Sequence, residues 1–319
     1  MNQQHRLAST CLGGLLLLGC THTTGSQWSR PPLSAPSAVA VAPAVARPVL
    51  VEQRDHGDGR ITGTLQGDGE LVRFDLRRRP HTDAAAAAPL ALVVPILGGG
   101  ENLMEHVASR LRTRGFDVAF CARVASAMRP GQRSRELDEL FRRTVLHQRL
   151  LLTWLRTGEQ PPSSTHVLGL SLGGMVAVAL AAADAELEGI AICLSGGDIQ
   201  SLVTTSSEGR VSRWREWRRE ADGVGDDHLR WELQQFLHHE PLGMARAVPT
   251  GKVLFVAGDF DTVIPRRNRD LLWEALGRPQ RFDVPLGHYT AALAIAPILD
   301  AVASHFRHRA ERPQPAAGD

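Results

Sequence analysis

Lysine is almost missing from this chain: Lys252 is the only one, and arginine supplies the rest of the basic charge. Basic and acidic residues nearly cancel, leaving a formal net charge of +2 over 319 residues. A chain so close to neutral has no electrostatic footprint for nucleic acid or another polyanion. The arginine bias reads as a coding preference. Cysteine is also scarce, at four residues, and two of these, Cys11 and Cys20, lie near the N-terminus. Cys121 and Cys193 sit in separate apolar, strand-like runs that are not expected to be neighbours in a sheet. Buried free thiols are therefore expected there, although an oxidising compartment would permit a disulfide. No internal repeat is visible. Gly98–Gly100 lacks the Gly-Lys-Ser/Thr ending of a phosphate loop, and no dinucleotide-binding spacing fits. His238-His239 and His305/His308 do not form a helical i, i+4 histidine pair with a nearby carboxylate, so no metal is expected.

The most apolar stretch near the start, LASTCLGGLLLL, is too short to span a bilayer comfortably. It ends in Leu17-Leu18-Gly19-Cys20, which resembles the lipobox of bacterial lipoproteins. That resemblance implies a signal peptide over residues 1–19, cleavage before Cys20 and diacylglyceryl attachment to its sulfur. Two or three acyl chains hold a protein at a membrane far better than one. Thr21 replaces the aspartate that often retains such proteins at the inner membrane, which favours an outer-membrane address. An ordinary signal peptide cut nearby is the alternative. Residues 20–48, rich in Thr, Ser, Pro and Ala, read as a flexible tether, and residues 310–319 as a frayed tail.

What is present between residues 49 and 309 is one domain's worth of alternating elements. An apolar fraction of 43% with 22% charged residues fits a globular core. RITGTLQGDGELVRFDLRR reads as a hairpin turning at Gly67-Asp68-Gly69. The apolar runs PLALVVPIL, FDVAFCARV, HVLGLS, GIAICLS, KVLFVAG and QRFDVPL then alternate with stretches of helical spacing. One such stretch places Leu103, Val107 and Leu111 on a common face before Gly115. Strands alternating with helices of this length call for a parallel sheet covered on both faces. Ligands of such sheets bind at the carboxyl ends of the strands.

HVLGLSLGG places Ser171 at such an end, between Gly169 and Gly173, with an Ala-rich helix following. A sharp strand-to-helix turn would expose its hydroxyl and aim the Leu172 N–H and the helix amino end at the same spot. The bare Gly-x-Ser-x-Gly pattern is weak, but two other strand ends supply an acid and a base in order. KVLFVAGDFDTVIP carries Asp261 after Gly258, and QRFDVPLGHYT carries His288 after Gly287. Over roughly residues 60–308 the chain resembles the α/β-hydrolase superfamily, through the GLSLG elbow, the GDFDTVIP turn and the LGH loop. The resemblance implies an α/β-hydrolase fold with a mostly parallel sheet, and a Ser171–Asp261–His288 triad. In it, His288 takes the serine proton and returns it to the leaving group, while Asp261 orients the imidazole. Asp259, in the same turn, and Asp198, after an earlier strand, compete for the acid's place. The oxyanion donors implied are the N–H of Leu172 and one from the loop after VVPIL, where Leu97 is the positional match and Gly98 follows. The family often shows His-Gly at that point; here Pro95-Ile96 stands instead.

Residues 200–248 read as a helical lid insertion, with segments around VSRWREWRRE and HLRWELQQFLHH. Trp214 and Trp217 share a face, and packing of the lid onto the domain is favoured over contact with a bilayer or gating of an acyl substrate. The reading is a lipid-anchored serine hydrolase of carboxylic esters, small-molecule or lipid, working without a cofactor. A non-catalytic envelope lipoprotein on the same fold and a serine peptidase are its rivals. Oligomeric state leaves no trace in the sequence.

Overall fold

The computed structural model describes residues 44–80, 87–95, 101–122, 124 and 128–311. The expected signal peptide, Cys20, most of the tether and nearly all of the tail lie outside them. Three strands open the fold: β1 (Val49–Asp55), β2 (Arg60–Gly67) and β3 (Glu70–Arg77). Then follow β4 (Leu90–Val94), α1 (Glu101–Thr113), β5 (Asp117–Cys121), α2 (Ser134–Arg156), β6 (Thr165–Leu170) and α3 (Leu172–Ala183). After β7 (Gly189–Cys193) come four helices: α4 (Ile199–Thr205), α5 (Gly209–Asp222), α6 (Asp226–Phe236) and α7 (Pro241–Ala245). The chain closes with β8 (Val253–Gly258), α8 (Arg266–Ala275), β9 (Gln280–Val284) and α9 (Ile295–Ala310).

The strands form one sheet in the order β1-β2-β3-β5-β4-β6-β7-β8-β9. From β5 to β9 every pairing is parallel, and β1–β2, β2–β3 and β3–β5 are antiparallel. The hairpin sits at the expected turn: Asp68 and Gly69, at φ 47° and 77°, form the two-residue loop whose twist matches that of its strands. Strands β4, β6, β7 and β8 are buried along their whole length. Helices therefore cover both faces, as the near-continuous apolar runs required. Alternate residues of these strands feed two separate cores. Leu92, Val94 and Ile192 pack with α2, α3 and α8, while Val93, Leu168 and Cys193 pack with α1 and α9. Cys121 on β5 and Cys193 on β7 are separated by β4 and β6, and both are free, buried thiols. Strand β1 was not foreseen. Every residue of it is exposed, so no alternation marks it, and pairing with β2 alone holds it at the sheet edge.

The insertion between β7 and β8 holds four helices where two were expected, and it packs down as a cap. Trp214 on α5 is 1% exposed, and its indole N–H donates to the Gln132 carbonyl at 3.0 Å. Beside it, the buried Arg218 guanidinium lies over the Trp214 ring, pairs with Asp222 at 2.7 Å and Glu232 at 2.9 Å, and reaches the Ser134 hydroxyl of α2. Such a pair is costly to break because removing one partner strands the other charge. Trp217 is half-buried, with the Arg133 guanidinium over its ring. Both tryptophans thus serve packing.

Candidate active site

The turn from β6 into α3 explains its glycines. Ser171 stands at φ 54°, ψ −119°, a backbone region that stores strain and is kept only where neighbours over-determine it. Its N–H donates to the Cys193 carbonyl at 2.8 Å. A Cβ on Gly169 would lie 2.6 Å from the Gly174 Cα, and one on Gly173 would lie 2.9 Å from the Val94 carbonyl carbon. The helix can approach the strand this closely only without those side chains.

Asp261 lies in the turn after β8. Its Oδ1 accepts the N–H groups of Val263 at 2.9 Å and Ile264 at 2.8 Å, which fixes the carboxylate with its Oδ2 free to face outward. That Oδ2 is 2.7 Å from His288 Nδ1, in the loop after β9. His288 Nε2 is in turn 3.0 Å from Ser171 Oγ. A carboxylate only accepts, so the Nδ1–H donates to Asp261 and Nε2 is left to accept from the serine hydroxyl. The Asp261 side chain is 1% exposed, which keeps water from competing for this bond. Gly258 and Asp259, which lead into the acid turn, are held by Arg269 of α8 through their carbonyls. Gly287 is anchored by its N–H to the Thr290 hydroxyl at 2.8 Å.

The competing acids lie elsewhere. Asp259 is exposed in the turn, its N–H given to the Val284 carbonyl. Asp198 caps α4 in the left-handed region and pairs with Arg267 at 2.6 Å. Leu172 begins α3, so its N–H has no intrahelical acceptor and is free to serve a ligand beside Ser171. Leu97 and Gly98 lie outside the described residues. Burial pushes the Cys121 and Cys193 thiols up, so neither competes as a nucleophile. Among the described residues no group of three or more His, Cys, Asp or Glu side chains is arranged to hold a metal ion. His239 instead meets Asp138 at 2.9 Å, and His305 the Lys252 carbonyl at 3.0 Å.

A cavity of ≈ 280 Å³ opens beside Ser171 and His288. Apart from Ser171, Cys193, Ser206, Glu208, His288 and Tyr289, its wall is made of aliphatic, Phe and Met side chains. Sequence reading passed over most of this wall. Signals for part of it were present: Leu103 lies on the helical face it shares with Val107 and Leu111, and Leu137 and Phe141 stand at i, i+4 on the long helix α2.

No protein-family model matches the chain, and no curated protein sequence does. Solved structures do. TT1662 from Thermus thermophilus superposes with a TM-score of 0.56 at 19% identity, over 82% of this chain and 100% of its own. A cold-adapted esterase from an Arctic intertidal metagenomic library aligns with a TM-score of 0.53 at 14% identity, over 82% of this chain and 100% of that one. Acetyl xylan esterase 1 from a Thermoanaerobacterium species aligns with a TM-score of 0.55 at 16% identity, over 80% and 88%. At these identities the likeness bears on architecture alone: the chain has the α/β-hydrolase fold.

Proposed function

We propose that the protein is a serine hydrolase that cleaves a carboxylic ester through an acyl-enzyme. The observation that carries this reading is the chain of short contacts from Ser171 Oγ through His288 to Asp261 at the wall of an apolar cavity. In the first step Ser171 gives its proton to His288 Nε2 as Oγ bonds to the ester carbonyl carbon. The carbonyl electrons move onto oxygen, where the Leu172 N–H receives the charge; Leu97 or Gly98 is the proposed second donor. The C–O bond to the alcohol then breaks, and the alcohol leaves with the proton held by His288. In the second step water gives a proton to His288 and attacks the acyl carbon. The proton passes back to Ser171 as the acid departs. Asp261 keeps the imidazole in the tautomer both steps need and offsets its positive charge. The esterase neighbours are consistent with this chemistry.

A fluorophosphonate probe tests it. Labelling of the wild type that disappears in Ser171→Ala is the expected result; a folded wild type that takes no label refutes the reading. Turnover of p-nitrophenyl esters without comparable turnover of peptide amides separates an esterase from a peptidase.

The N-terminal sequence supports a second, separable proposal: Cys20 carries the lipid that anchors the protein at the bacterial envelope, at the outer membrane. Cys20→Ser should release soluble protein or leave the precursor uncut. A membrane fraction that keeps its lipid label in that variant refutes the anchor.

A further inference from the structure

The cavity beside Ser171 reaches the cores on both faces of the sheet. One part of its wall, including Phe141 of α2, Leu202 of α4 and Val211 of α5, belongs to the core shared with the cap. The other part, including Leu103 of α1, Ala291 in the 3-10 turn after His288 and Ile295 of α9, belongs to the opposite core. Ser171 stands between them at the end of β6.

We propose that this division sorts the two halves of the substrate, which is a neutral ester of an aliphatic acid with an apolar alcohol. The inference rests on the serine-hydrolase reading above. The leaving oxygen must reach His288 Nε2 to collect its proton, so the alcohol lies on the side of the His288 loop, along Ala291 and Ile295. The acyl carbon is bonded to Ser171 Oγ and carries its chain to the other side, between α2 and the cap. The acyl side does not suit a hydroxyl-rich partner. The Ser206 hydroxyl already donates to the Val263 carbonyl at 2.9 Å. Glu208, the wall's one carboxylate, is turned onto the N–H groups of Arg210 at 2.7 Å and Val211 at 2.8 Å. A hydroxylated acyl chain would lose its water there without finding partners, which disfavours it strongly; on the alcohol side the Tyr289 hydroxyl stands at the exposed rim, and the wall beyond it, at Ala291 and Ile295, is apolar. Val211 lies one turn before the anchored Trp214, so its position is fixed and it gauges the length of the acyl chain.

Two ester series separate the lobes: p-nitrophenyl esters from acetate to decanoate, and butyrates of alcohols from methyl to octyl. In the wild type kcat/KM should rise about fourfold for each of the first buried methylenes. Val211→Trp should lower the decanoate-to-acetate ratio by at least about tenfold, since added bulk in a packed site displaces the chain. Ile295→Trp should lower the octyl-to-methyl butyrate ratio instead. If thermal melting shows that a Trp variant has not folded, Val211→Phe and Ile295→Phe replace them. A wild-type rate that falls steadily from acetate onward overturns the proposal. So does a decanoate-to-acetate ratio that moves with residue 295 and not with residue 211. Failure of the underlying reading looks different: folded wild type would neither take fluorophosphonate nor turn over any ester in either series.

Discussion

His166 should make this protein lose stability as the pH falls from 7 to 5. It lies on β6, fully buried, stacked on the Phe306 ring at 4.7 Å between centroids. Its Nε2 is 2.9 Å from the Ser164 hydroxyl, while its Nδ1 is buried without a hydrogen-bond partner. A neutral ring with its proton on Nε2 leaves only a lone pair unmet. Protonation would place an N–H at Nδ1 with nothing to receive it. Burial, and then the charges of His305 and Arg309, push the imidazole down to about 3 from the ordinary 6.5. The folded value lies below the unfolded one, so the unfolded chain binds the proton more readily. Stability from this group is complete above the unfolded value, declines as pH falls through it, and goes on declining toward the folded value. Between pH 7 and pH 5 the unfolded chain gains about 2 kcal/mol from protonating this one residue, while the folded protein gains almost nothing. Urea unfolding at the two pH values, for wild type and His166→Leu, measures it. The variant has its own packing cost at both pH values, and His147 and His305, also held down by burial, titrate in both proteins. Only the difference of differences counts, and it should favour the variant by about 2 kcal/mol. Parallel losses in the two proteins would refute the argument.

Ser171→Ala and His288→Ala should each lower ester turnover by at least about a thousandfold with little change in melting temperature, measured by steady-state kinetics beside calorimetry. Asp261→Asn should be severe and Asp259→Asn nearly silent, because only Asp261 meets His288; a larger loss at position 259 would reassign the acid. Glu240 accepts the N–H groups of Asp198 at 2.9 Å and Ile199 at 2.8 Å, joining the two ends of the cap. Its replacement by alanine should cost about 2–4 kcal/mol in denaturant unfolding, and by glutamine a comparable amount, because both carboxylate oxygens accept N–H groups and an amide nitrogen can accept none.

Much of the central sheet was readable because strands covered on both faces must be apolar throughout. The runs around Val93, Leu168, Ile192 and Val256 show it. Strand β1 was not readable, since an exposed edge strand needs no pattern. The cap helices were half readable: α5 and α6 are long enough to show spacing, whereas α4 and α7, at seven and five residues, span too few turns. The cap's position could not be read at all, because Trp214, Arg218 and Glu232 find their partners across long sequence separations.

The same divide runs through the site. The glycines around Ser171, Asp261 before Val263-Ile264, and His288 after Gly287 are demands of local backbone geometry. A sharp turn, a side chain bound to its own next amides and a close loop each leave a mark within a few residues, so the sequence alone picked out Ser171, His288 and a short set of aspartates, Asp261 among them. Which of several aspartates meets the imidazole, how close the hydroxyl comes, and which walls enclose the cavity depend on residues far apart in the chain. Those were decided only when parallel pairing brought the ends of β6, β8 and β9 to one edge and packing pressed the cap onto α2.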